Sequence, residues 1–252
     1  MGSRHHELGR KQLPKVNTGT SLPQDPDWSP DGKKIAFAAE VGGLLDIFVL
    51  VLETGDVRNL TNLKARDASP SWSPDGRWIA FESNRDPRFW DIGGGMSPDI
   101  YVMDAQGRNI RNLTRTAGVS ETDPAWSPDG TQIAYSVQNP ARSMNADIYV
   151  IDVDGGNRRR VANFKDKYPF YLAWEPSWSS DSQYILFTLL HIGGENEDGM
   201  DLCMINRDGK GFRVIYHKRG IRAGCPKLFG NVLGISPFNL KGTLWGVIKR
   251  GE

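Results

Sequence analysis

The chain has 252 residues, 38% of them hydrophobic and 24% charged, a globular balance that excludes a disordered or fibrous protein and suffices for one large domain or two small ones. Lysine plus arginine (31) against aspartate plus glutamate (30) leaves a formal charge of +1, so no global basic field draws in nucleic acid or anionic lipid. The 28 glycines and 15 prolines favour many turns and short strands over long helices. Cys203 and Cys225 are too few for a disulfide framework and stand in no zinc spacing. No stretch reaches the roughly 18 apolar residues of a membrane span, and the opening MGSRHHELGRKQLPK lacks the apolar run of a signal peptide. A soluble chain without membrane insertion is expected, with residues 1–8 a disordered start or cloning remnant.

In chain order the first element is Arg10-Lys11-Gln12-Leu13, whose pattern returns later as the last strand of a repeating unit. The units themselves are headed by Trp28-Ser29-Pro30-Asp31-Gly32, Trp72-Ser73-Pro74-Asp75-Gly76, Trp126-Ser127-Pro128-Asp129-Gly130 and a weaker Trp178-Ser179-Ser180-Asp181-Ser182, the tryptophans 44, 54 and 52 residues apart. Each head is followed by an apolar strand, namely Ile35-Ala36-Phe37, Ile79-Ala80-Phe81, Ile133-Ala134-Tyr135 and Ile185-Leu186-Phe187. Next come Asp46-Ile47-Phe48-Val49, Asp99-Ile100-Tyr101-Val102, Asp147-Ile148-Tyr149-Val150 and Asp201-Leu202-Cys203-Met204, then a glycine turn. A fourth strand carries Arg58-Asn59-Leu60-Thr61, Arg111-Asn112-Leu113-Thr114, Arg159-Arg160-Val161-Ala162 and Arg213-Val214-Ile215-Tyr216.

Each unit therefore reads as a four-stranded antiparallel meander. In Ser-Pro-Asp-Gly, proline presets the second position of a type I turn and glycine accepts positive φ, so the first two strands form a hairpin. Ser182 replaces that glycine in the fourth unit, at an expected cost of about 1 kcal/mol if it takes positive φ, which makes that hairpin the loosest. Strands that bury Ile and aromatic side chains on one face and Ala on the other suit blades stacked round an axis. The predicted fold class is an all-β propeller of one domain over residues 9–250, with blades at about 26–61, 70–114, 124–162 and 176–216. A fifth blade is predicted at 226–250, completed by the N-terminal strand 9–15, because Cys225-Pro226-Lys227-Leu228 keeps the register of Asp123-Pro124-Ala125-Trp126. Closure would remove an exposed edge, and deletion of 9–15 is expected to destabilise the ring.

These motifs, Asp-Pro-x-Trp-Ser-Pro-Asp-Gly with Ile-Ala-Phe, Asp-Ile-Tyr-Val and Asn-Leu-Thr, resemble the repeat of TolB-type β-propellers, the WD-repeat-like bacterial propellers, over residues 10–216. The resemblance implies six blades as the familiar number, so that a truncated six-bladed ring is the alternative, and it implies a periplasmic or envelope scaffold that binds other proteins on one face. Related propellers also occur beside peptidase domains and, less often, as polysaccharide lyases, so fold does not dictate activity.

In such meanders the loops after strands two and four share one face of the disc. The second-to-third connections vary most, from Glu82 to Pro98, Gln138 to Ala146 and Leu189 to Met200, and variable loops on a rigid scaffold are where binding concentrates. Arg85, Arg88, Phe89 and Trp90 combine guanidinium and aromatic groups suited to an interface, or else fold back as a small local core. Three residues before the tryptophans stand Asp25, Ser69, Asp123 and Glu175, which together line the channel mouth with carboxylates. That ring can hold a divalent cation or receive a basic side chain, or its members simply cap backbone amides.

Asp152-Val153-Asp154-Gly155 lies at the regular glycine turn and lacks the spacing of a calcium loop. Arg158, Arg159 and Arg160 are read as charges guarding an outer strand. For chemistry the inventory is thin: His191 and His217 are isolated, and no GxSxG, HExxH or phosphate loop is present. His191 with Glu195 is kept as a binding pair near the mouth. The function read from these residues is a monomeric, non-enzymatic scaffold for another protein, without cofactor or metal beyond the cation just named. The rival reading is a carbohydrate or peptide hydrolase or lyase using Glu175, Glu195, Asp198 and His191, or an accessory domain of a larger enzyme.

Overall fold

A computed structural model describes residues 23–86, 97–139, 145–193 and 198–219. Among these there is no helix, and sixteen strands run in chain order. The first blade comprises β1 (Gln24–Trp28), β2 (Lys34–Val41), β3 (Leu44–Val51) and β4 (Val57–Asn59), and the second β5 (Asp67–Trp72), β6 (Trp78–Ser83), β7 (Asp99–Asp104) and β8 (Arg111–Asn112). The third comprises β9 (Ser120–Trp126), β10 (Gln132–Gln138), β11 (Ala146–Asp152) and β12 (Arg159–Ala162), and the fourth β13 (Phe170–Trp178), β14 (Tyr184–Ile192), β15 (Gly199–Asn206) and β16 (Arg213–Arg219). Neighbours within a blade pair antiparallel in sequence order, and one parallel bridge, Ala146 to Leu172, joins the third blade to the fourth. The fifth blade expected from 226–250 and 9–15 lies outside the described residues.

The turn motif folds as its residues dictate. Gly32 N–H donates to Ser29 O at 2.8 Å, Ser29 Oγ donates to Asp31 Oδ1 at 2.6 Å, and the Lys34 amide closes on Ser29 Oγ at 2.9 Å. The same bonds recur at Ser73, Ser127 and Ser179. Ser182 does take positive φ, at 59°, and its hydroxyl accepts the Asp129 amide of the preceding blade at 3.0 Å. That cross-blade bond is an anchor the glycine of the other units cannot offer.

The alternation of Ile and aromatic residues with Ala gives the stack a direction. Ala36, Ala38, Ile47 and Val49 of the first blade pack on Ile79, Phe81, Tyr101 and Met103 of the second. Ala80, Ile100 and Val102 of the second meet Ile133, Tyr135 and Ile151 of the third, and Ala134, Ile148 and Val150 of the third meet Ile185, Phe187, Leu189 and Cys203 of the fourth. The second, third and fourth blades thus turn an aromatic face backward, and the first three turn an alanine face forward. Fully burying side chains of this size contributes roughly 1.5–3 kcal/mol each. Cys203 is a buried free thiol, as its mid-strand position suggested, and burial pushes it up to about 12.

Two spans differ from the sequence reading. The innermost strands start two to six residues earlier, at Gln24, Asp67, Ser120 and Phe170, because a bulge lets pairing continue upstream. The connection assigned to Leu189–Met200 contracts, since β14 and β15 stay paired out to His191 and Gly199.

Candidate functional site

The inner strands β1, β5, β9 and β13 lie side by side round the axis. They are joined across blades through the residue before each tryptophan. The Trp72 amide donates to Asp27 Oδ2 at 2.6 Å and the Trp126 amide to Ser71 Oγ at 3.2 Å. At the third junction the small side chain of Ala125 offers no acceptor, and its backbone oxygen takes the Trp178 indole N–H at 3.0 Å instead.

Asp25, Ser69, Asp123 and Glu175 all lie in the left-handed region, with φ of 52°, 51°, 55° and 53°. Strand register slips at each of them, which defines a bulge that re-aims one side chain per blade. A non-glycine residue in this conformation costs about 1 kcal/mol, and strain of this kind gathers at functional sites. All four are half-buried. The position read from the repeat thus recurs with one backbone geometry in the four described blades.

The centre of charge among these residues is at Asp123. Burial, then the carboxylates of Glu82 and Glu175, and more weakly that of Asp25, raise Asp123 to about 7, against a hydrogen bond from Thr122 that lowers it. Glu82 on β6, 3% exposed, is the residue the sequence reading missed as part of this cluster. Its Oε2 accepts the Asp123 amide at 3.2 Å and Ser69 Oγ at 3.3 Å, and its other oxygen pairs with Arg66. The signal in the sequence is a glutamate that directly continues the apolar run Ile79-Ala80-Phe81. Arg66 brings a cation to this cluster through its ion pair with Glu82.

The remaining candidates are placed as follows. Arg85 points inward: its side chain is 11% exposed, pairs with Asp67 at 2.9 Å and lies over the rings of Phe81 and Tyr101 at 4.9 and 5.2 Å. Arg88, Phe89, Trp90 and Glu195 lie outside the described residues. His191 is not at the mouth but 1% exposed within the fourth blade, where it faces Asp201. Asp198 accepts the Gly193 amide at 2.8 Å and so closes its own loop. The arginines beginning at Arg158 do more than guard an edge. Arg158 pairs with fully buried Glu121 at 2.6 Å, which burial raises to about 7 against the pull of Arg158, and Arg160 pairs with Asp147 at 3.2 Å.

With repeat, blade order and mouth in view, comparison with known proteins is decisive for the family. A model of the TolB beta propeller domain matches residues 6–89 and 92–219. The chain belongs to the TolB β-propeller family. A TolB relative, the Tol-Pal system protein TolB of Bordetella pertussis, is 36% identical over 112 residues, which are 44% of this chain and 23% of that protein. The chain thus spans about a quarter of that relative's length. A solved TolB structure from Agrobacterium tumefaciens is similar with a TM-score of 0.62 at 24% identity, over 78% of this chain and 65% of that one. An oligogalacturonate lyase in complex with manganese shares the TolB-type fold at a TM-score of 0.56 and 13% identity, over 78% of this chain and 53% of its own, so an enzyme also uses this architecture.

Proposed function

We propose that this TolB-family propeller is a non-enzymatic scaffold that receives a basic segment of a partner protein at its channel mouth. The observation that carries this reading is the convergence of Asp25, Glu82, Asp123 and Glu175, strong enough to lift Asp123 to about 7. Carboxylates crowded in this way are relieved by a cation, and a lysine or arginine side chain supplies one with directional hydrogen bonds. Such complementarity acts mainly on specificity and on the rate of encounter. A periplasmic or envelope location, implied by the family resemblance, accords with this role and is checked by cell fractionation. A divalent cation at the same ring is the competing occupant.

The hydrolase or lyase reading has less support. Of its four residues, His191 is directed at Asp201 and Asp198 is engaged with Gly193, so neither is available beside Glu175 on this geometry. A general acid and base must reach the same reacting bond.

The test titrates synthetic peptides that differ only in bearing Arg, Lys or Glu at a central position into the full chain, at low and high salt. Basic peptides are expected to bind, more weakly as salt rises, and the Asp123→Asn/Glu175→Gln variant to lose about tenfold in affinity while keeping its circular dichroism. Equal affinity for basic and acidic peptides, or unchanged binding by the variant, overturns the reading. Loss of peptide binding on adding calcium or magnesium to wild type would assign the ring to the metal.

A further inference from the structure

The third strand of each described blade carries an aspartate at or near its start, buried at Asp46, Asp99 and Asp201 and half-buried at Asp147, and the four copies are satisfied differently. Asp46 accepts Asn59 Nδ2 at 2.7 Å and Thr61 Oγ1 at 3.3 Å, and Asp99 accepts Asn112 Nδ2 at 2.6 Å and Thr114 Oγ1 at 3.4 Å. Asp147 accepts Tyr171 OH at 2.6 Å and pairs with Arg160. Asp201, 3% exposed, is instead placed between two imidazoles. His191 Nε2 lies 3.2 Å from Oδ2, and His217 Nδ1 closes on Oδ1.

The fourth blade has therefore exchanged amide, hydroxyl and guanidinium partners, weak or incapable ligands for a borderline metal, for two imidazoles that bind one well. His191, Asp201 and His217 come from three adjacent strands, β14, β15 and β16, and project from one face of the blade. One ligand atom from each lies within 4.8 Å of the others, a spread that small side-chain rotations close to the separation of about 3–4 Å needed for ligand bonds of about 2 Å to a common ion. The scaffold beneath is rigid. His191 is stacked on Tyr168 at 4.3 Å between centroids and runs nearly parallel to His217 at 6.0 Å. His217 is one-third exposed while the other two are buried, so an ion has a route in from solvent. The atom of His191 directed into the cluster is Nε2, while its Nδ1 has no hydrogen-bond partner among the described residues.

We propose that His191, Asp201 and His217 form a three-ligand site for a borderline transition-metal ion, best matched by Zn²⁺, which pins β16 to the blade. Two imidazoles and a carboxylate with a fourth position open to solvent suit zinc, whereas calcium and magnesium require an all-oxygen shell. On that strand Val214, Ile215 and Tyr216 are 42, 51 and 63% exposed. Sequence spacing concealed the site, because the two histidines stand 26 residues apart and meet only through strand register.

The full chain holds four histidines, and the other two, His5 and His6, are themselves capable of holding zinc, so the experiment is done in a His5→Ala/His6→Ala background. Metal-stripped protein is titrated with zinc by calorimetry and with cobalt by absorbance. One equivalent is expected to bind, with the intense visible bands of four-coordinate cobalt, and zinc should raise the melting temperature. His217→Ala, the most exposed ligand, and Asp201→Asn should each weaken binding at least tenfold and abolish the zinc-dependent shift while retaining the strand signal in circular dichroism. If either variant fails to fold, the other decides. Absence of a stoichiometric zinc site in the background protein, or equal binding by the folded ligand variants, overturns the proposal.

Discussion

Aspartates at the two ends of the blades behave in opposite ways. In the turns between first and second strands, the Ser29, Ser73 and Ser179 hydroxyls lead in lowering Asp31, Asp75 and Asp181, with Asp75 reaching about 2. At Asp129 burial works upward, yet bonds from Ser127, Thr131 and Arg207 carry the carboxyl down to about 2. At the other end, Asp123 has one donor, Thr122, against burial and three acidic neighbours, and stands near 7. The turn carboxylates complete their own hydrogen bonds within a few residues. At Asp123 burial and the neighbouring carboxylates outweigh the single hydrogen bond named.

This contrast can be broken most severely from the turn end. Gly107, at φ +80°, lies where an added Cβ would come within 2.7 Å of Leu60 O in the neighbouring blade. Gly107→Val should cost about 3 kcal/mol in urea unfolding, from backbone strain plus a steric clash. Asp129→Ala should lose about 1–2 kcal/mol at neutral pH through the missing hydrogen bonds, a figure that screening at this partly exposed site reduces. Because the folded carboxyl is depressed from 3.8 to about 2, its contribution is complete above pH 4 and disappears as pH falls through 2, where variant and wild type should melt together.

The mouth gives the reverse sign. Asp123 is raised from 3.8 to about 7, so the folded state holds a proton that the unfolded chain has released, and stability declines as pH rises across that window. Asp123→Asn should therefore melt about 2–4 °C above wild type at pH 8 and equal to it at pH 4. A melting difference that grows toward acid would refute the placement of this carboxyl. The smallest effect is expected at Ser71→Ala, about 0.5–1 kcal/mol for the bond to the Trp126 amide, since Ala125 occupies the same position at the next junction without one.

Strand order, the hairpin turns and the four bulge positions were legible because each is specified within a few residues and repeated. The pairing of Ser29 with Asp31 is local chemistry, and Asp25, Ser69, Asp123 and Glu175 share one offset from a tryptophan. Partnerships between strands or blades were not legible in the same way. Glu82 reaches Asp123 across 41 residues, Arg158 joins Glu121 from just before the third blade's fourth strand to its first, and His191 and His217 meet Asp201 only through strand register. Arg85 was identifiable as an unusual residue, but not as one turned inward, because the outcome depended on Asp67 lying opposite Ser83 on the neighbouring strand.

The packing of aromatic face against alanine face makes every contact between blades head-to-tail. Such heterologous contacts have no intrinsic end: repeated with a rotation that closes they yield a ring, and without closure an open fibre. The first blade gathers Phe37, Phe48 and Leu50 in a cluster separate from its contact with the second, and the fourth carries Val214 and Tyr216 exposed. Curvature per blade, rather than affinity between blades, is thus the quantity that decides whether this repeat builds a single finite molecule or a polymer of many copies.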